Sequence, residues 1–88
     1  MQPIEKISIK RVEEGKYSLD LRGFTCPYPE IFARRALDVV APGNTLVITI
    51  DNAPSCETIP AAAEELRHRV IEVKKIGETD WNIVIQKQ

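Results

Sequence analysis

Asp20-Leu21-Arg22-Gly23-Phe24-Thr25-Cys26-Pro27-Tyr28-Pro29 is the stretch on which the fold turns. Glycine interrupts an extended run here, and a proline follows four residues later. Proline is favoured at the first helical position, because the N–H it lacks would have no partner there. The stretch therefore reads as the end of a strand and the start of a helix. On its N-terminal side Tyr17, Leu19 and Leu21 alternate with Ser18 and Asp20, and Ile7 and Ile9 alternate with Lys6, Ser8 and Lys10. With Glu13-Glu14-Gly15-Lys16 between them, these runs predict a β-hairpin. On its C-terminal side Phe32, Ala33, Ala36, Leu37 and Val40 share one helical face, which predicts a helix over residues 27–41 closed by Pro42-Gly43-Asn44.

Thr45-Leu-Val-Ile-Thr-Ile50 is β-branched and apolar on both pleat faces, as in a central strand covered by its neighbours, and Asp51-Asn52-Ala53-Pro54 ends it. Ile59, Ala63, Leu66 and Val70 then give the apolar stripe of a second helix, with Glu64, Glu65 and His68 turned outward. Residues 70–76 and 81–85 form a closing hairpin around Gly77-Glu78-Thr79-Asp80, with Trp81, Ile83 and Ile85 alternating against Asn82 and Val84. The order ββαβαββ places the fold in the α+β class, with two helices on one face of a mixed sheet. Without linker, repeat or low-complexity tract, residues 1–88 read as one domain with residues 1–16 as an N-terminal hairpin arm.

Eighty-eight residues support one two-layer core and no deep cleft between lobes. Twelve Lys and Arg against thirteen Asp and Glu leave a formal charge of −1, with no field to hold a polyanion, so direct nucleic-acid binding is not the expected role. The longest uncharged apolar run, Thr45 to Ile50, is far below membrane-spanning length. Glu5, Lys6, Lys10, Arg11, Glu13 and Glu14 interrupt any signal-peptide core, and a cytoplasmic location is expected. Cys26 and Cys56 form no C-x-x-C pair, and with His68 as the single histidine there are too few soft ligands for a zinc site. No metal and no cofactor is expected, and two free thiols are, each to be judged by its neighbours.

Cys26, directly before Pro27, falls at or next to the helix N-cap. Unpaired N–H groups and the positive end of the helix dipole stabilise an anion there, which raises the thiolate fraction. Pro27 and Pro29 stiffen the approach and keep the sulfur presented on a fixed stalk. The plainer alternative is that Cys-Pro marks a helix start and nothing more. Local physics leaves both open.

The residues Asp20-x-Arg22-Gly23-x-x-Cys26-Pro27-x-Pro29, followed by Pro42-Gly43, Asp51 and Ile59-Pro60, resemble the TusA/SirA-like sulfur-carrier family over residues 18–86. The resemblance implies a two-layer α/β sandwich with a four-stranded mixed sheet in βαβαββ order and two helices on one face, to which the N-terminal run adds a strand. It also implies a role for Cys26, which would accept sulfane sulfur as a persulfide from a cysteine desulfurase or a rhodanese-type donor and pass it to an acceptor protein. Asp20, Arg22, Gly23, Pro27 and Pro29 are the supporting motif. Pathways served by the family differ, so the resemblance implies the chemistry rather than the destination of the sulfur, and it leaves the oligomeric state open.

Two features depart from that pattern: the N-terminal arm, and Thr58 where an acidic residue is common. Thr58 is expected to cap the second helix, which would put Pro60 in the first turn at no cost in hydrogen bonds. Cys56 then lies in the preceding loop, on the same sheet edge as Cys26 if the two strands run parallel. It is either a resolving thiol or a small residue in a turn. Arg22 either lowers the Cys26 pKa, contacts a partner, or pairs with Asp20 or Glu30. Ile31, beside Arg34, Arg35 and Asp38, is placed opposite the buried stripe and offers a docking surface for a donor or acceptor protein.

Three classes of function compete: a sulfur carrier, a redox or regulatory binding module using Cys26 and Cys56, and an autonomous thiol enzyme. The last wants a base or a cationic pocket beside the thiol. With His68 on an outward helix face, the chain reads as a protein substrate of other enzymes rather than an enzyme in its own right.

Overall fold

The structure, a computed structural model, describes residues 9–25 and 27–88. Five strands and two helices follow in the order β1 (Ile9–Glu13), β2 (Lys16–Asp20), α1 (Tyr28–Val39), β3 (Thr45–Ile50), α2 (Ser55–Glu65), β4 (Arg69–Lys75) and β5 (Trp81–Gln86). The strands form one mixed sheet with spatial order β1-β2-β3-β5-β4. β2 and β3 run parallel, and β5 is antiparallel to both β3 and β4, so β2, β3 and β4 share one direction. Both helices cover one face, the two-layer α+β arrangement expected, with the extra strand joined to the sheet as its edge. Ile7 lies outside the described residues. The strand seen runs from Ile9, and its turn contracts to Glu14-Gly15.

Pleat alternation builds the core. Leu46, Ile48 and Ile50 of β3, Ile83 and Ile85 of β5, and Leu19 of β2 are all about fully buried beneath Phe32, Ala33, Ala36 and Leu37 of α1 and Ile59 and Ala63 of α2. β3 is central as expected, yet it is covered on one face only: Thr45, Val47 and Thr49 are half-buried, because just the neighbouring strands' side chains flank them. β4, an edge strand of the sheet, leaves Ile71 and Val73 exposed.

α2 begins at Ser55, three residues before the expected Thr58 cap. Pro54, with φ −56° and ψ −30°, already has helical geometry and serves as N-cap. Ser55 N–H donates to Asn52 C=O at 3.0 Å and Cys56 N–H to Ala53 C=O at 2.9 Å, while Thr58 N–H reaches Pro54 C=O at 3.1 Å. The Ser55 hydroxyl is fully buried on Asn52 Oδ1. Pro60 consequently falls inside the helix, where it forgoes the bond to the Cys56 carbonyl. The helix also stops early. His68 N–H bonds to Ala63 C=O and Arg67 N–H to Glu64 C=O, a Schellman pair with Arg67 left-handed at φ 67°. Leu66 is therefore an exposed C-cap rather than part of the buried stripe, and His68 follows the helix instead of lying on its outer face.

Candidate functional site

Since β2, β3 and β4 run the same way, the segments that leave them, residues 21–27, 51–54 and 76–80, emerge at one edge of the sheet. The first begins on a firm anchor: Leu21 is fully buried and its N–H donates to Thr49 C=O at 2.8 Å. Gly23 then turns the chain at φ +93°, a region an L side chain rarely occupies. A Cβ there would meet nothing within 4 Å, so backbone conformation and not crowding selects glycine. Phe24 returns to the core, edge-to-face with Phe32 at 5.0 Å, and Tyr28 stacks on the same ring at 6.1 Å.

Cys26 lies outside the described residues. Its flanking residues, Thr25 and Pro27, are both exposed. Pro27 is the N-cap of α1, so of the two placements left open for Cys26 the structure leaves the one next to the cap, and Pro27 stands one position before the first helical residue. This weakens one sequence argument. Of the four N–H positions that open a helix, Pro27 and Pro29 carry no hydrogen and Tyr28 gives its own to Thr25 C=O at 2.9 Å. At most one, that of Glu30, is left for an anion, so the helix start offers mainly its dipole rather than a set of free donors. The fully buried Pro29 ring instead fixes the helix start against the core.

Of the pairings open to Arg22, the structure selects Asp20 and adds one the sequence did not suggest. Its Nε and Nη2 lie 3.0 and 2.8 Å from Asp20 Oδ1 and Oδ2, its backbone N–H donates to Oδ1, and Nη1 stands 3.5 Å from Asp80 Oδ2. The hydrogen bond from Arg22 holds the Asp20 carboxyl below its ordinary value, and Asp20 in turn raises the guanidinium pKa. Glu30 is engaged by Arg34. Gly23 N–H is 3.1 Å from both carboxylate oxygens of Asp51. Neither Asp51 nor Asp80 carried a local signal of this role, because both contacts join residues far apart in sequence.

Cys56 is the second residue of α2, not a loop residue. It is half-buried, and burial, followed by Glu57 beside it, pushes its pKa up. A thiol so shifted is a poor resolving nucleophile. On α1, Ile31 is 39% exposed and Tyr28 47%, so two large side chains face solvent in the first turn of the helix. Arg35 is exposed, whereas Arg34 is tied between Glu30 and Glu65. Among the described residues no helix is long and apolar enough to cross a membrane.

The family model described as "Sulfurtransferase TusA" matches residues 17–87. The chain belongs to the TusA family. Its relatives include two proteins named "Putative sulfur carrier protein", from Thermotoga maritima (39% identical, covering 78% of this chain and 87% of the relative) and from Archaeoglobus fulgidus (35% identical, 85% of each). A third, from Escherichia coli and named with the addition TsuB, is 38% identical over 78% of this chain and 92% of its own. The crystal structure of a SirA-like protein from Desulfitobacterium hafniense superposes with a TM-score of 0.70 at 23% identity, covering 78% of this chain and 93% of that one, and so shares the fold. The TusA match starts within β2, which leaves β1 as an addition outside the matched region.

Proposed function

We propose that this TusA-family chain is a sulfur carrier that holds sulfane sulfur as a persulfide on Cys26 and relays it to an acceptor protein. The observation that carries the reading is the family match across Cys26, the residue in sequence between Thr25 and the α1 N-cap Pro27, both of which are exposed. The Cys26 thiolate attacks the outer sulfur of a donor persulfide, supplied by a cysteine desulfurase or a rhodanese-type protein. The new S–S bond forms as the donor S–S bond breaks, and the donor cysteine leaves as a thiolate. No oxidant is consumed. The acceptor takes the same outer sulfur by the reverse exchange, and Cys26 returns to a thiolate.

Motif residues divide the work. Gly23 turns the chain, Pro27 and Pro29 fix the helix start, and Arg22 with Asp20 ties the turn down. Tyr28, Ile31 and Arg35 are the surface against which the donor or acceptor packs. A redox module that pairs Cys26 with Cys56 is less well supported, because the raised pKa of Cys56 keeps it protonated. Incubation with a cysteine desulfurase and cysteine should add about 32 Da per sulfur to the wild-type chain and nothing to Cys26→Ala. A wild-type chain that stays at its starting mass rules the carrier reading out.

A further inference from the structure

The turn Arg22-Gly23 is held from outside its own segment, and on both sides. Asp51, on the segment leaving β3, receives Gly23 N–H on both carboxylate oxygens at 3.1 Å across 28 positions of sequence. Asp80, before β5, lies 3.5 Å from the Arg22 guanidinium. Within the segment, Asp20 holds Arg22 by its backbone N–H and its guanidinium, and Phe24 N–H donates to Leu21 C=O across the turn at 3.4 Å, a long bond; the Gly23 amide itself is held by Asp51. Gly23 is exposed, a side chain there would touch nothing, and the nearest packed anchors are Leu21 behind it and Phe24 ahead of it. Position 26 follows Gly23 by three residues, a reach of roughly 10 Å at full extension, so the place of the glycine bounds the place of the sulfur.

We propose that Asp51 is a positioning residue for the thiol chemistry of Cys26, acting through the Gly23 amide, with the Arg22–Asp80 contact as its weaker second arm. Its carboxylate holds the left-handed turn closed, so that position 26 meets an incoming sulfur in a fixed place. Both contacts are open to solvent, but the Arg22–Asp80 pair is longer, at 3.5 Å, and joins a flexible side chain, whereas the Asp51 carboxylate accepts a directional, charge-assisted bond from the backbone amide itself. This rests on the carrier reading for its purpose, and not for its test.

The test uses the full chain carrying Cys56→Ser, so that Cys26 is the remaining thiol. Alkylation by iodoacetamide and persulfide loading by a desulfurase are both timed in this background and with Asp51→Ala or Asp51→Asn added. Asparagine keeps an oxygen that accepts the Gly23 N–H and removes the charge. The expected result is an alanine variant slowed by about tenfold in maximal loading rate with an unchanged half-saturating donor concentration, and an asparagine variant within about threefold of the parent. Alkylation should follow the same order. Loading unaffected by alanine overturns the proposal, as does equal slowing by alanine and asparagine, which would assign the effect to charge or to stability. If the parent fails to load while alkylation still follows the expected order, the carrier reading fails and the positioning role stands. Should the alanine variant not fold, amide exchange in the parent decides: a Gly23 proton protected relative to Thr25 supports the clamp, and one exchanging as fast overturns it.

Discussion

Arg34 of α1 and Glu65 of α2 join the two helices, with the guanidinium Nη2 2.6 Å from the carboxylate Oε1. The same arginine reaches Glu30 one turn earlier at 3.4 Å. It closes a groove of about 220 Å³ between the helices, floored by Ala61 and Ala62 and flanked by Thr58. Two adjacent arginines on α1 therefore have different tasks, since Arg34 is spent on its neighbours and Arg35 faces solvent.

Charge reversal separates them. Arg35→Glu should slow sulfur transfer from a desulfurase several-fold while leaving the melting temperature unchanged. Arg34→Glu should lower both, because it sets three carboxylates together across the helix pair. Stopped-flow or quenched loading assays alongside thermal melts check this, and an Arg35→Glu chain that loads at the parental rate removes the α1 surface as a docking site.

His68 makes stability sensitive to mild acid. Burial and then the Lys87 ammonium push its pKa below the ordinary 6.5, with Asp38 opposing them. Its Nδ1 accepts the Gln88 N–H at 3.2 Å, which only an unprotonated Nδ1 can do. The unfolded chain therefore binds a proton more readily than the folded one between the depressed folded value and 6.5. Stability should be full above about pH 7 and decline as pH falls below 6.5, levelling off under the folded pKa. Urea melts across this range should show the decline in the wild-type chain and its absence in His68→Gln.

The architecture was readable where side chains obey a single local rule. The stripe Phe32, Ala33, Ala36, Leu37 and Val40 is buried as its spacing requires, and the alternation of Ile83 and Ile85 is too. Reading failed where local rules compete. Thr58 is a good capping residue and Pro60 a poor interior one, yet the turn at Asn52–Pro54 and the buried Ser55 start α2 earlier and accept the proline within it. Arg67 gave no sign of a helix end, because the usual glycine is absent from a left-handed position. At the site, the order Gly23, Cys26, Pro27 was visible as a motif, whereas the carboxylates of Asp51 and Asp80 reach it only through the parallel alignment of β2, β3 and β4, which no local pattern encodes.

Arg67 offers a direct test of that hidden helix end. A non-glycine residue in the left-handed region costs roughly 1–2 kcal/mol, less the entropy that glycine adds to the unfolded chain. Arg67→Gly should therefore stabilise by about 1 kcal/mol, raising the melting temperature by roughly 4–8 °C for a domain of this size. An unchanged or lower melting temperature would show that the Arg67 side chain contributes contacts worth as much as the strain.

Cys56 should behave as an inert thiol. In Cys26→Ala its alkylation at neutral pH should be slower than that of free cysteine, with the rate still rising where free cysteine has levelled off, since burial and Glu57 both disfavour its thiolate. Oxidised wild-type protein should contain no Cys26–Cys56 disulfide by peptide mass spectrometry.

The placing of β5 between β3 and β4 bears on how the molecule is made. During synthesis β2 and β3 each leave the ribosome with a neighbouring strand already present, but β4 emerges before β5, the strand with which it pairs. Until Trp81–Gln86 arrives, β3 and β4 both present unsatisfied strand edges, and the apolar Ile48, Ile50 and Val70 lack part of their cover. The nascent chain is thus most vulnerable to misassociation just before its final strand slots into the middle of the sheet.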